Sequence, residues 1–374
     1  MNSALVFIFI LVPILLLVNL PRAEAARTFK KALPGYKYSF PGDHGSHDQF
    51  KTEWWYFTGH LKADSGEDYG FELTFFRTAS DERPSDKQSA FRLDNIYLAH
   101  FAITDKARGK FSFFEKLNRK GLGLADAREN FPLVYNQSWS MKFVDKDTIV
   151  LSANGGDYKL DLVLDSLKKP VIHGKDGVSQ KASCKGCASH YYSLSRLSAR
   201  GVLSVADKPV FVRGSAWMDH EFGSNQLTDN QVGWDWFSIQ LDDNREIMLY
   251  VMRRADGGID EHSSGTIVYA DGRYRHLAKN EFIIKTERNW QSKRSGGRYP
   301  MGWNVSIPSE ALSMRLSPVM DDQELATGKS TGVTYWEGAA AVSDSSNKKG
   351  EKEKLSGKAY IEMTGYAERF RKKI

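Results

Sequence analysis

The chain has 374 residues, 41% hydrophobic and 12% aromatic, which excludes disorder for its body and is long enough for two cores. Its formal charge of +6 comes from 52 Lys and Arg interleaved with 46 Asp and Glu. That spread, with no recognised nucleic-acid module, argues against nucleic acid as a partner.

An almost wholly apolar run extends from Ala4 to Leu20, broken by Pro13 and Asn19 and followed by Ala23-Glu24-Ala25. An apolar run before a small-x-small triplet predicts a signal peptide over 1–25, cut before Ala26, and so a periplasmic or secreted protein. No Lys or Arg precedes the run. The rival is an uncleaved anchor, for which about 17 apolar residues is the short limit.

Residues 26–50 form a Gly- and Pro-punctuated lead-in. Two strands around Asp64-Ser65-Gly66 follow, with Phe71, Leu73, Phe75 and Arg77 on one face of the second. A third strand puts Ile96, Leu98, His100 and Ala102 on one face. Short alternating strands start at Trp139, Asp147 and Tyr158. A loop over 168–189 then carries the only two cysteines, Cys184 and Cys187, in SCKGCASH. With no helical pattern behind it, this CxxC reads as a small disulfide staple in an oxidising compartment. A hairpin turns near Asp207, another at Asp242-Asp243-Asn244, and strands continue to KAYIEMTGY. Amphipathic helical pattern is sustained nowhere. Many short strands predict an all-β protein of two barrels or sandwiches, with domains over 51–223 and 224–374.

The stretch Arg213–Gln240 holds three of the nine Trp and sets Asp219, His220 and Glu221 side by side among apolar neighbours. As a strand, Trp217, Asp219 and Glu221 face one way, and Met218, His220 and Phe222 the other. Buried carboxyl and imidazole groups are tuned toward neutral pH, which suits a general acid or base in a dry cavity. A structural network between two domains is an equal reading, and a metal site a third. In Trp234-Asp235-Trp236 the two Trp share a face suited to a cation, and Asp235 takes the other with Phe237. Arg77 and His100 sit on apolar strand faces, expected to point into a barrel, and Glu53 shares a face with Trp55. No GxSxG or HExxH occurs, and Gly328-Lys329-Ser330 is an incomplete P-loop.

EWWYFTGHL (53–61), FFR (75–77), LAHFAITD (98–105), YYSLSRL (191–197), GSAWMDHEFG (214–223) and GWDWFSIQL (233–241) resemble the AttH-like and carotenoid 1,2-hydratase family. RYPMGW, DQEL, TYWEGAAAV and YIEMTGY continue the likeness nearly to the end. The resemblance implies two tandem lipocalin-like antiparallel β-barrels. It also implies a secreted protein that binds a hydrophobic small molecule or lipid, in some relatives beside an ABC transporter permease, with transient membrane contact. The hydratase branch adds water to an isolated C=C without a cofactor. Carried onto this chain, Asp219, His220, Glu221 and Asp235 would serve the chemistry. Trp55, Arg77, His100, Tyr192, Trp217, Trp234 and Trp236 would bind the ligand, and neither metal nor cofactor is expected. Phe222 departs from the family, which commonly has Trp there.

Overall fold

The computed structural model describes residues 27–80, 93–130, 132–225, 227–345 and 355–369. The signal-peptide and anchor readings of 1–25 lie outside the described residues. Alternating side chains build two antiparallel sheets. The first runs in the order Lys110–Arg119, Asn95–Asp105, Asp68–Ala79, Thr52–Ala63, Lys208–Asn225, Ala188–Val205, Tyr158–Ser166, Thr148–Gly155, Trp139–Phe143, Leu133–Asn136 and Ala125–Ala127. A bridge between Lys120 and Ala125 connects its two end strands, so the sheet curls into a barrel. The strand Lys110–Arg119 and the short pieces at 125–127 and 133–136 escape sequence reading, because their alternation is weak.

The second sheet runs in the order Tyr274–Ala278, Ser264–Val268, Glu246–Arg254, Gln231–Leu241, Ser356–Thr364, Thr334–Asp344, Leu312–Pro318, Arg298–Ile307 and Ile283–Gln291. The chain passes from one barrel to the other between Asn225 and Gln231. The hairpin of Ala188–Val205 with Lys208–Asn225 turns on Ala206 and Asp207, at φ 50° and 62°. Two left-handed residues in a two-residue loop match the right-handed strand twist.

Each barrel interior is filled with side chains. Trp55, Phe57, Phe71, Leu73, Phe101 and Leu162 pack inside the first, and Phe237, Ile239, Trp303, Trp336 and Ile361 inside the second. The ligand-meeting surface expected on the inward faces is therefore elsewhere. The outward faces are aromatic too. Tyr56, Tyr191 and Trp217 of one barrel pack on Trp236, Met248, Tyr250 and Met252 of the other. Gly70 allows the barrels to approach, since a Cβ there would stand 2.8 Å from that of Ala339. At one edge the buried Glu246 of the second barrel is held by Lys168 (2.7 Å) and Arg196 of the first. Gln240 reaches across to donate to the Ser195 and Ala216 carbonyls, at 2.8 and 2.9 Å.

Candidate functional site

A single strand feeds two different environments. In Lys208–Asn225, His220 pairs with Trp55 and Asp219 with Tyr56. Trp55 belongs to the first barrel's core and Tyr56 to the layer between the barrels. Asp219 and Glu221 thus leave the barrel while His220 enters it.

The outward pair lines a cavity of about 420 Å³ between the barrels. Trp54, Tyr56 and Phe76 form one wall, with Tyr191 beside Asp219. Trp234, Trp236, Tyr250 and Tyr335 close it from the second barrel. Asp219 accepts from the Trp217 indole (2.6 Å), the Tyr191 hydroxyl (2.8 Å) and the Ser193 hydroxyl. Tyr191 in turn accepts from the Trp236 indole at 3.0 Å. Burial pushes the Asp219 carboxyl up to about 7 even against these three donors.

Glu362 enters from the opposite barrel, and burial, reinforced by Asp219 and Glu221, raises it to about 7. Glu337 accepts from Tyr56 through one oxygen, while the other has no hydrogen-bond partner among the described residues. Its carboxyl is raised well above the usual range by burial, then by Glu362 and Glu72. Behind the wall, burial raises Glu72 to about 8. The strand alternation that isolates each of these residues among aromatics therefore assembles a cluster of neutral acids.

Lys181 is a buried cation of this cavity, which Lys51 and Arg77 also line. Its Nζ lies 3.2 Å from Glu221, an ion pair off hydrogen-bond geometry, and 4.2 Å from the Tyr250 ring centroid. The Cys184–Cys187 disulfide closes a small loop just after Lys181. The Lys181 amide donates to the Cys187 carbonyl at 2.9 Å, and Gln231 of the second barrel donates to the Lys181 carbonyl at 2.7 Å.

Inside the first barrel a second polar cluster forms around Glu53. His220 Nε2 lies 2.8 Å and His47 Nδ1 2.7 Å from Glu53 Oε1, and Arg77 Nε donates to Glu53 Oε2 at 3.0 Å. His47 also reaches Asp43 at 3.0 Å. His220 Nδ1 meets the Tyr192 hydroxyl at 3.1 Å, which meets His44 Nδ1 at 2.7 Å. Burial opposes charge on His47, but Glu53 and Asp43 outweigh it and raise the imidazole to about 9. Burial likewise opposes a charged Glu53, yet His47 and Arg77 hold it well below the carboxylate range. His47, Glu53 and His220 offer ligand atoms within 4.8 Å of one another. Each of those atoms is already in a hydrogen bond, and Arg77 supplies positive charge at the same place. The cluster is closed by protons and a guanidinium rather than shaped for a metal.

The sequence-expected site residues thus divide. Asp219, Glu221, Trp234 and Trp236 meet at the cavity, with Trp217 behind Asp219. His220, Trp55 and Tyr192 lie inside the first barrel, and Arg77 spans from there to the cavity margin. His100 corrects the inward expectation: its face is outward, and its ring contacts Tyr335 (2.6 Å) and Ser330 (2.9 Å) of the second barrel. Burial lowers it to about 3, so it is neutral. Asp235 lies away from Asp219, on the inner side of its strand with Arg253 (3.1 Å) and Tyr366 (2.9 Å). Sequence reading misses Glu72, Glu337, Glu362, Lys181, and the lead-in residues Asp43, His44 and His47. Each Glu is a lone acid in an aromatic strand, the same signal that singles out Asp219.

Two barrels joined through aromatic outer faces around an acid-lined cavity define a tandem lipocalin-like protein. An AttH-like family model matches residues 31–366, and the chain belongs to that family. A crystal structure assigned to AttH from Nitrosomonas europaea superposes with a TM-score of 0.81 at 31% identity, covering 90% of this chain and 99% of that one. Kievitone hydratase from Nectria haematococca shares the fold at a TM-score of 0.66 and 15% identity, over 91% and 97% of the two chains. CghA with Sch210972 shares it at 0.52 and 13%, over 84% and 88%. Comparison with curated proteins returns no match.

Proposed function

We propose that the cavity between the barrels binds a hydrophobic, alkene-bearing molecule of lipid or isoprenoid type and hydrates an isolated C=C by acid catalysis. The observation that carries this reading is Asp219, a buried carboxyl facing an aromatic cavity with three donors behind it. The Asp219 O–H adds its proton to the less substituted alkene carbon, and the π pair becomes the new C–H bond. The Trp217, Tyr191 and Ser193 donors hold the carboxylate left behind. The tertiary cation faces Trp234 and Trp236, whose ring faces attract positive charge. Water adds to it and passes a proton back to the Asp219 carboxylate, leaving a tertiary alcohol and restoring the acid. The hydratase among the proteins of this fold supports the reaction class. Export to the periplasm suits a protein handling lipids, in transient contact with a membrane.

The second reading is a carrier that delivers the same ligand to an ABC transporter permease without changing it. The apolar cavity supports this reading equally, and one experiment separates the two. Native mass spectrometry identifies the retained lipid, which is then incubated with the protein in ¹⁸O-labelled water. Hydration puts the label into a tertiary alcohol. Asp219→Asn should slow it by about 10²–10⁴-fold, the usual cost of losing a general acid, with melting temperature preserved. A retained ligand that never takes up label would remove the enzymatic reading in favour of the carrier.

A further inference from the structure

The cavity has two corners of similar make-up. In one, the Lys181 ammonium sits beside Glu221 and over the rings of Tyr250 (4.2 Å) and Tyr191 (5.1 Å). Elsewhere on the lining Glu337 and Glu362 join Asp219, Tyr56, Trp234 and Trp236, while of the cations that also line the cavity Lys181 pairs with Glu221 and Arg77 with Glu53. Tyr56 and Trp236 stand edge to face at 5.1 Å and 87°, which sets ring walls at right angles. Glu337 is fully buried, and one of its carboxyl oxygens has no hydrogen-bond partner among the described residues. A buried acceptor left unpaired is costly unless something outside the fold satisfies it.

Aromatic walls with carboxyl groups between them are the chemistry that recognises organic ammonium ions. The first corner displays this with the protein's own amine. We propose that the second corner, formed by Asp219, Glu337 and Glu362 with Tyr56, Trp234 and Trp236, recognises an ammonium group on an amphiphilic ligand. The inference rests on the reading that this cavity is the ligand site, and it names the head group that the site prefers. A carbocation passes through such a corner briefly; an ammonium carries the same charge permanently.

Two probes of equal chain length separate the head group from the chain. Decyltrimethylammonium and 1-decanol are titrated into the mature protein by calorimetry, below their aggregation limits and at mildly alkaline pH. The ammonium should bind about tenfold tighter or more. The Glu337→Gln/Glu362→Gln double variant should lose that preference while still binding decanol, and its melting temperature confirms that it is folded. Equal affinity for the two probes in the parent overturns this inference and leaves the ligand cavity standing. Failure of both probes to bind overturns the cavity reading and this inference together.

Discussion

His220 and Asp219 are neighbours in sequence, yet they open onto opposite solutions to the same physical problem. Around His220, inside the first barrel, buried charge is balanced: Glu53 takes His47 and Arg77, and Asp43 takes the far side of His47. Around Asp219, between the barrels, it is not. Asp219, Glu337 and Glu362 line the cavity and Glu72 interacts with Glu337, while of the cavity's cations Lys181 is engaged by Glu221 and Arg77 by Glu53. Burial there favours protonated acids instead of ions. A balanced cluster fixes a structure. A cluster kept neutral by burial retains acids that can give up a proton or meet a positive charge, and here it also faces a cavity.

The comparison breaks most visibly if its two halves respond alike to mutation. Arg77→Met should cost about 3–5 kcal/mol, because it strands Glu53 as an undercompensated buried charge. Glu337→Gln exchanges one neutral group for another and should cost about 1 kcal/mol or less. Urea unfolding of both variants measures this, and a large loss for Glu337→Gln would mean that Glu337 is an ion in a structural network.

Asp219, Glu362 and Glu72 are raised to about 7, 7 and 8, above their unfolded values. An acid with a raised pKa holds its proton more tightly in the folded state, so its stabilisation is lost as pH rises through the folded pKa. His47, raised to about 9, is protonated in the folded state and also loses stabilisation as pH rises from its unfolded value. The neutral histidines His44, His60 and His100, lowered to about 3, 4 and 3, oppose this only below their unfolded pKa. Stability should therefore fall by about 2 kcal/mol between pH 7 and pH 8, at the linkage slope of about 1.4 kcal/mol per proton per pH unit. Glu72→Gln should flatten the decline, and a parent protein that gains stability over this window would contradict the assignment of neutral acids.

Much of this architecture is legible in the amino-acid sequence. Period-two alternation locates the hairpins at Asp207 and at 242–244, and it places Asp219 and Glu221 opposite His220. It does not say which face is inside a barrel. Both faces of the central strands are buried, one against a barrel core and one against the other barrel, so apolar residues run nearly continuously. His100 shows the consequence: its face is apolar because it meets Tyr335 of the second barrel, yet apolarity alone suggests a barrel lumen. Lys181 and His47 escape for another reason. Both sit in irregular segments, where no period reveals which side chain turns inward.

The central claim is that Asp219 and Glu362 are acids that titrate near neutral pH between the barrels. Infrared difference spectroscopy of the folded protein, titrated from about pH 5 to about pH 9, follows protonated carboxyl groups directly. Carboxyl bands should disappear near pH 7, with one component absent in Asp219→Asn and another in Glu362→Gln. A parent protein whose carboxyl groups are all ionised by about pH 5.5 would contradict the claim.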